Sequence, residues 1–304
     1  GSVQHNLRVG VDFRRNVRLD AYSAPGGEDE RIAFFLGDDI ELVRGLTLTP
    51  AIRFEAQDLE AEPALDDGTD FSGSRDALMG GGSLRYELEN GLAFFTSWAE
   101  SRNLPILDDL ENPVLRGQIE VGQTFEAGAS INRIGVFSAN DALAFKLNYY
   151  NSDVDSLSST RGVASVETDG IEIEASYAMR NGFYFDVNAS IISGDEIDAD
   201  GVASDWRNLP QNTYQAEFGK RFGDLLNLRW EAVIASDRVQ DGVNEDNGFD
   251  VHNIRANLTP SGGFLDGFSL RVSVENLFDS FYQPARALRA APGRNFKFTV
   301  AKRF

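Results

Sequence analysis

Residues 171–191 read Ile171-Glu172-Ile173-Glu174-Ala175-Ser176-Tyr177-Ala178-Met179-Arg180-Asn181-Gly182-Phe183-Tyr184-Phe185-Asp186-Val187-Asn188-Ala189-Ser190-Ile191. Apolar and polar side chains alternate on both sides of Arg180-Asn181-Gly182. Period two is the strand period. An Asn-Gly turn supplies the positive φ that a tight hairpin needs. The stretch is therefore an antiparallel hairpin with one apolar and one polar face.

The same alternation recurs outward in both directions. Leu143, Phe145, Leu147 and Tyr149 oppose Lys146 and Asn148; Leu226, Leu228, Trp230, Ala232 and Ile234 oppose Asn227, Arg229 and Glu231; Phe268, Leu270, Val272 and Val274 oppose Ser269, Arg271, Ser273 and Glu275. Fourteen strands are expected, at 3–19, 30–43, 46–57, 75–89, 92–101, 121–134, 143–151, 166–179, 183–193, 211–222, 225–237, 249–259, 267–278 and 294–304. Most exceed the about 5–6 residues of a globular strand. They match the roughly 9–11 that a tilted strand needs to cross a bilayer. A soluble sandwich also alternates, but the polar faces carry Lys146, Glu172, Glu174, Asp186, Arg229, Glu231 and Arg271, and unpaired charge is costly in a dry core. The expected fold is all-β, a transmembrane antiparallel barrel.

Connections alternate in length. Short ones are 43–45, 89–91, 138–142, 180–182, 223–224 and 259–266; long ones are 20–29, 58–74, 102–120, 152–165, 194–210, 238–248 and 279–293. Outer-membrane barrels have short periplasmic turns and long extracellular loops. A final strand running inward puts every long loop outside. The last strand sets Phe296, Phe298 and Phe304 on one face, as a barrel-assembly signal does.

Composition closes other routes. The 304 residues hold 28 Lys+Arg against 48 Asp+Glu, a net charge of −20. Such a chain does not neutralise phosphates, so nucleic acid is not a partner. There is no Cys, so thiol catalysis and Cys-ligated metal are excluded; His5 and His252 are the only histidines, and a His-rich metal site or a Ser-His-Asp triad is not expected. Asp66-Asp67 and Asp108-Asp109 fall in polar loops with no aromatic platform beside them, so no enzyme activity is expected. Asp195, Asp198 and Asp200 start like a calcium loop, but counting from Glu196 puts Arg207 where a bidentate Glu belongs. A looser divalent site on these three, or one shared with Asp241, Glu245 and Asp246, is the remaining metal expectation, and no cofactor is expected. His252 shares a face with Ile254, Ala256 and Leu258, turned toward lipid near the outer rim.

Three motifs then carry a family resemblance. Asn276-Leu277-Phe278-Asp279 with Tyr282, Pro292-Gly293-Arg294-Asn295-Phe296 and terminal Phe304 resemble the end of TonB-dependent outer-membrane receptors. Asn112-Pro113-Val114-Leu115 followed by Thr124-Phe125-Glu126-Ala127-Gly128 resembles a stretch of that family between a long outer loop and its next strand. Gly45-Leu46-Thr47-Leu48-Thr49-Pro50 resembles an earlier family strand. The resemblance implies a multi-pass barrel in the outer membrane of a Gram-negative bacterium, surrounded by lipid and lipopolysaccharide and inserted by the barrel-assembly machinery. It implies import of a small iron chelate, driven by the TonB–ExbB–ExbD complex acting through a TonB box and plug that this chain lacks. It also implies about 22 strands. The chain opens Gly1-Ser2, as an excised segment would, so it is read as the C-terminal part of a longer receptor, 1–304 being barrel throughout. A complete, passive 14-stranded porin is the alternative.

Two cargoes stand within the family. Haem importers place a His in the loop before the Asn-Pro motif; Ser101 to Leu115 contains no His, Tyr, Met or Cys, so that loop offers no axial ligand. A ferric siderophore needs no protein atom on the metal and comes first, with haem second. Arg102, Tyr150, Trp206, Arg207, Tyr282, Arg286 and Arg289 are the expected ligand-binding residues.

Overall fold

The computed structural model describes residues 3–19, 26–61, 71–111, 115–156, 162–240 and 242–303. Its strands are β1 (Gln4–Arg18), β2 (Gly27–Val43), β3 (Leu46–Ala61), β4 (Phe71–Glu87), β5 (Leu92–Asn103), β6 (Glu120–Ile134), β7 (Ala142–Asp155), β8 (Val163–Ala178), β9 (Phe183–Asp198), β10 (Ala203–Asp205), β11 (Thr213–Phe222), β12 (Leu226–Ala235), β13 (Arg238–Gln240), β14 (Val243–Asp246), β15 (Phe249–Leu258), β16 (Phe268–Glu275) and β17 (Asn295–Lys302). Fourteen of them pair with their neighbours in chain order, from β1 through β9, then β11, β12, β15, β16 and β17, every pair antiparallel. β10 adds to β9, and β13 pairs with β14 above the sheet. This is the expected up-and-down wall, with β1 and β17 at its edges.

Register fixes the two faces, because residues paired across strands point the same way. Lys146 faces Ser130 and Glu174, and Asn148 faces Gly128 and Glu172. Continued through each pair, this row system gives one polar face over the whole sheet. The other face is apolar and exposed: Phe13, Phe34, Trp98, Phe125, Phe185, Phe218, Phe296 and Phe298 all lie on it. Large apolar side chains bared over an entire face need a non-aqueous partner, and the bilayer is that partner for a sheet of this length.

Tight turns lie at one end. Gly45, Gly91 and Gly182 have φ of 82°, 84° and 89°. At the other end the strands run further than the alternation implied. β3 continues through Asp58 to Ala61, β7 through Ser152 to Asp155, and β9 through Gly194 to Asp198, each within an expected loop. Pairing persists there, with Asp155 opposite Ser165 and Glu167 opposite Asp195. β16 instead stops at Glu275, short of Phe278, because Asn276 turns the chain at φ 51°.

Candidate functional site

The polar face of β1–β3 carries a lattice of ion pairs. Arg31 lies 3.0 Å from Asp29 and 3.3 Å from Glu55; Arg53 lies 3.0 Å from Glu55 and 2.6 Å from Asp12. Asp29 is only 2% exposed and also receives Gln57 Nε2 at 2.8 Å. A cavity of about 260 Å³ opens between Asp12, Arg14, Arg31, Ala33, Arg53 and Glu55.

The connection after β5 folds down onto this lattice. Its Pro105 carbonyl accepts from Gln57 Nε2 at 2.8 Å and from Arg31 Nη2 at 3.1 Å. Arg18 holds the Leu107 carbonyl at 2.8 Å and pairs with Asp108. Leu107 packs on Leu59, with Ala61 and Phe71 around it. Asp109 is buried and caps the turn by accepting from the Ile106 amide at 2.9 Å. Asp108 is exposed, but Asp109 differs from the solvated loop charge expected of it, being buried to hold the turn. A second hollow of about 550 Å³ opens where Gly37, Ala51, Gly81 and Ala99 align across β2–β5. A Cβ on Gly81 would sit 2.3 Å from the Trp98 carbonyl oxygen, so only glycine lets the two strands meet there.

The polar face of β6–β9 is different. Asn148 is buried, and its Nδ2 lies 3.4 Å from both Glu126 Oε1 and Glu172 Oε2. Glu126 also accepts from Ser97 Oγ at 3.1 Å. Glu126, Glu172, Glu174 and Asp186 have no cation within ion-pair distance among the described residues, and the Asn148 carbonyl oxygen has no hydrogen-bond partner.

The long-loop ends above β9–β16 are tied into one rim. Gln211 donates to the carbonyls of Ser236 at 2.7 Å and Asn247 at 3.1 Å, and its Oε1 accepts from the Ala285 amide at 3.0 Å. One buried side chain thereby links three connections. Asn276 shapes the third: its Nδ2 donates to Ser280 O at 2.7 Å, its Oδ1 accepts from the Ser280 amide at 2.8 Å, and its own amide donates to Asn253 Oδ1 at 2.9 Å. Asp279 accepts from the Arg294 amide at 2.7 Å, and the Leu277 amide donates to His252 O at 2.7 Å. The Asn-Leu-Phe-Asp motif is therefore a folding device that closes the β16–β17 connection, with Phe278 packed edge-on to His252 at 5.0 Å. His252 also stacks on Trp230 at 5.5 Å, on the apolar face as expected.

The expected ligand residues divide. Tyr150 is on the polar face, opposite Glu126 and Gly170. Tyr282 stands at the rim with its ring 4.7 Å from that of Phe249. Trp206 follows β10, its amide donating to the Gly194 carbonyl at 2.9 Å and its indole Nε1 buried and without an acceptor among the described residues. Arg286 and Arg289 are exposed in the β16–β17 connection. Two others are placed apart from these. Arg102 shares a face with Trp98 and Glu100 and pairs with Glu100 at 2.9 Å, so it points away from the polar face. Arg207 is committed to Glu196: its Nε lies 2.6 Å from Oε1, and its amide donates to Oε2 at 3.0 Å. Burial raises the Glu196 pKa, but the Arg207 side chain and amide outweigh it and hold the carboxyl below its ordinary value.

Of the divalent-ion expectation, Asp241 lies outside the described residues. Asp195 and Asp198 lie in β9, Asp198 accepts from the Asp200 and Val202 amides at 2.9 Å, and no group of three ligating side chains converges among the described residues. Leu115 begins a 3-10 turn; Asn112, Pro113, Phe304, Asp66 and Asp67 lie outside the described residues. Gln211 gave no sequence signal, being a single amide in a polar stretch.

A sequence profile of the TonB dependent receptor-like β-barrel matches residues 1–277. The chain belongs to the TonB-dependent receptor family. No curated protein sequence matches it. Among solved structures it is similar to the ferric citrate transporter FecA, unliganded (16% identity, TM-score 0.78, 99% of this chain and 51% of that one), and to the ferric-catecholate import receptor Fiu of K12 E. coli (15%, 0.73, 98% and 52%). It is also similar to the Serratia marcescens hemophore receptor HasR, solved with its hemophore HasA and heme (16%, 0.74, 99% and 58%). At these identities the likeness shows the fold alone. The chain spans about half the length of these receptors. In this family's outer-membrane barrels the apolar face is the lipid side, the polar face lines the lumen, and the tied connections form the outer rim.

Proposed function

We propose that this chain is the C-terminal part of the barrel of a TonB-dependent importer that takes up a ferric chelate, a siderophore ahead of haem, from the outer surface of a Gram-negative cell. The observation that carries the reading is the rim held by Gln211, with Trp206 and Tyr282 on it and exposed Arg286 and Arg289 beside it. Preorganised aromatics bind at low entropic cost, and guanidinium groups match the oxygen donors of an iron chelate. The first rim-side strap, from Leu104 to Glu111, contains no side chain that ligates haem iron, which favours cargo that brings its own ligands. The uncompensated Glu126 and Glu172 suit a lumen whose remaining charge is met by a plug. That plug would connect to TonB–ExbB–ExbD. Lipopolysaccharide around the rim and insertion by the barrel-assembly machinery belong to the same proposal.

The test uses the full-length receptor. Sub-micromolar binding of a ferric siderophore, with uptake of the radiolabelled chelate abolished when TonB is deleted, is the expected result. Uptake that persists without TonB, or open ohmic conductance of the receptor in a planar bilayer, would overturn active import and favour a passive channel.

A further inference from the structure

The lipid face is apolar through the middle of β9, β11, β12, β16 and β17, yet two lysines sit on it at the tight-turn end. Lys220 ends the row that pairs with Phe183 and Leu228. Its ammonium lies 3.8 Å from the centroid of the Phe183 ring and 5.7 Å from that of Phe222, and donates to the Asn181 carbonyl at 2.6 Å. Phe183 in turn stacks on Phe218 at 5.6 Å. Lys302, paired with Phe268, repeats the arrangement: its Nζ lies 4.5 Å from the Phe268 ring and 5.9 Å from that of Phe264. Phe264 is 85% exposed in the turn beside it.

We propose that Lys220 forms a socket for an anionic phospholipid headgroup on the turn-side leaflet of the membrane. This rests on the barrel reading above. An ammonium held over a ring face keeps its position while its stem stays among apolar groups. Lys220 spends one N–H on the Asn181 carbonyl and meets no carboxylate among the described residues, so donors remain for a ligand. The aromatic rings beside both lysines fix the depth, since such rings sit at the headgroup level. The anion present at that depth is the lipid phosphate. The far end of the same face supports this assignment by contrast. It carries Asp58, Glu60, Asp153, Asp155, Glu167 and Asp169 on the outward rows, with Glu28 and Glu30 met there by Arg15, a surface whose excess of carboxylates disfavours phosphate. A headgroup whose phosphate is not neutralised by its own ammonium gains most from a fixed lysine.

Full-length receptor placed in nanodiscs of phosphatidylglycerol and phosphatidylcholine, then released in the gas phase, reports retained lipid by native mass spectrometry. The wild type should retain phosphatidylglycerol preferentially. K220Q should lower that preference about fivefold, the weight of one basic side chain near a membrane surface, while K220R keeps it. All variants should show the heat-modifiable mobility of a folded barrel. Equal retention of the two lipids by the wild type, or unchanged preference in K220Q, overturns the socket and leaves the barrel intact. A wild type that stays soluble without detergent and retains neither lipid overturns the barrel reading itself.

Discussion

The lumen wall of β1–β3 and that of β6–β9 use the same residue types on the same face and pair them in opposite ways. On β1–β3, Asp12, Asp29 and Glu55 each meet a guanidinium, and the strap after β5 is fastened to the result. On β6–β9, Glu126 and Glu172 share one neutral amide, and Lys146 faces Glu174 across the ladder beyond ion-pair distance, with Asp186 on the same hollow. The first region is electrostatically closed. The second is open, with more carboxylates than its lysine offsets. A receptor needs both: a closed patch that fixes a loop, and an open patch facing whatever fills the lumen.

The largest effect is expected from breaking the closed patch. Arg31 is 11% exposed, its partners Asp29 and Glu55 are 3% and 14% exposed at their side chains, and it also carries the Pro105 carbonyl. Arg31→Ala takes a guanidinium from two carboxylates and the strap at once, leaving Glu55 with Arg53 and leaving Asp29 and the Pro105 carbonyl with the Gln57 amide. Removing one partner of a buried pair costs about 3–5 kcal/mol, with some relief here because the lumen admits water. Thermal unfolding of the full-length receptor should show a loss of about 3 kcal/mol, and limited proteolysis should cut the 104–111 strap faster. An unchanged melting temperature would show that the lattice is ornamental to the fold.

A third carboxylate shows that closure does not require a cation. Asp141, in the turn between β6 and β7, has no exposed surface and accepts from the amides of Val136 at 2.7 Å and of Phe137 and Ser138 at 2.9 Å, and from Tyr177 Oη at 2.8 Å. Burial raises its pKa, but the Tyr177 hydroxyl and the Phe137, Val136 and Ser138 amides outweigh that and bring it down to about 2. A depressed carboxylate contributes stability that is full above its unfolded pKa of about 3.9 and is lost as pH falls through the folded value. Acid unfolding of the wild type should therefore steepen between about pH 4 and 2. Asp141→Asn, which keeps one acceptor oxygen, should be less stable at neutral pH and flatter across that window. A variant curve parallel to the wild type would remove Asp141 from the account.

Most of the wall was legible because period two reports a sheet wherever one side meets lipid and the other water. It failed at the loop ends for the same reason. There β3, β7, β8 and β9 stand above the apolar band, and the outward rows carry Asp58, Glu60, Asp153, Asp155, Glu167 and Asp195. With both faces polar the alternation vanishes, although the backbone ladder continues. Arg102 is a different kind of miss. Counting by twos from Trp98 through Glu100 assigns it to the outward face, so the signal was present and loop position overrode it. Arg207 could not be read, because its partner Glu196 lies eleven residues away across a turn whose course only the fold sets. The Asn-Leu-Phe-Asp motif drew attention to Asn276, but its work in closing a loop appears only with Ser280 and Asn253 beside it.

The smallest effect should come from the open patch, and it decides whether the comparison stands. Glu126 has only long contacts, 3.1 Å to Ser97 and 3.4 Å to Asn148, while Glu172 faces the same amide from the other side. Like charges brought together on one sheet face are unfavourable, by about 1 kcal/mol or less where water screens them. Glu126→Gln in the full-length receptor should change stability by less than about 1 kcal/mol, against about 3 for Arg31→Ala. Added salt should stabilise the wild type more than the variant, since screening relieves a repulsion that the variant no longer has. A loss as large as that of Arg31→Ala, with salt now destabilising the wild type, would mean that a resident cation already sits between Glu126 and Glu172. The wall of β6–β9 would then be closed from the lumen side, and the two regions would differ in where the cation comes from rather than in whether one is there.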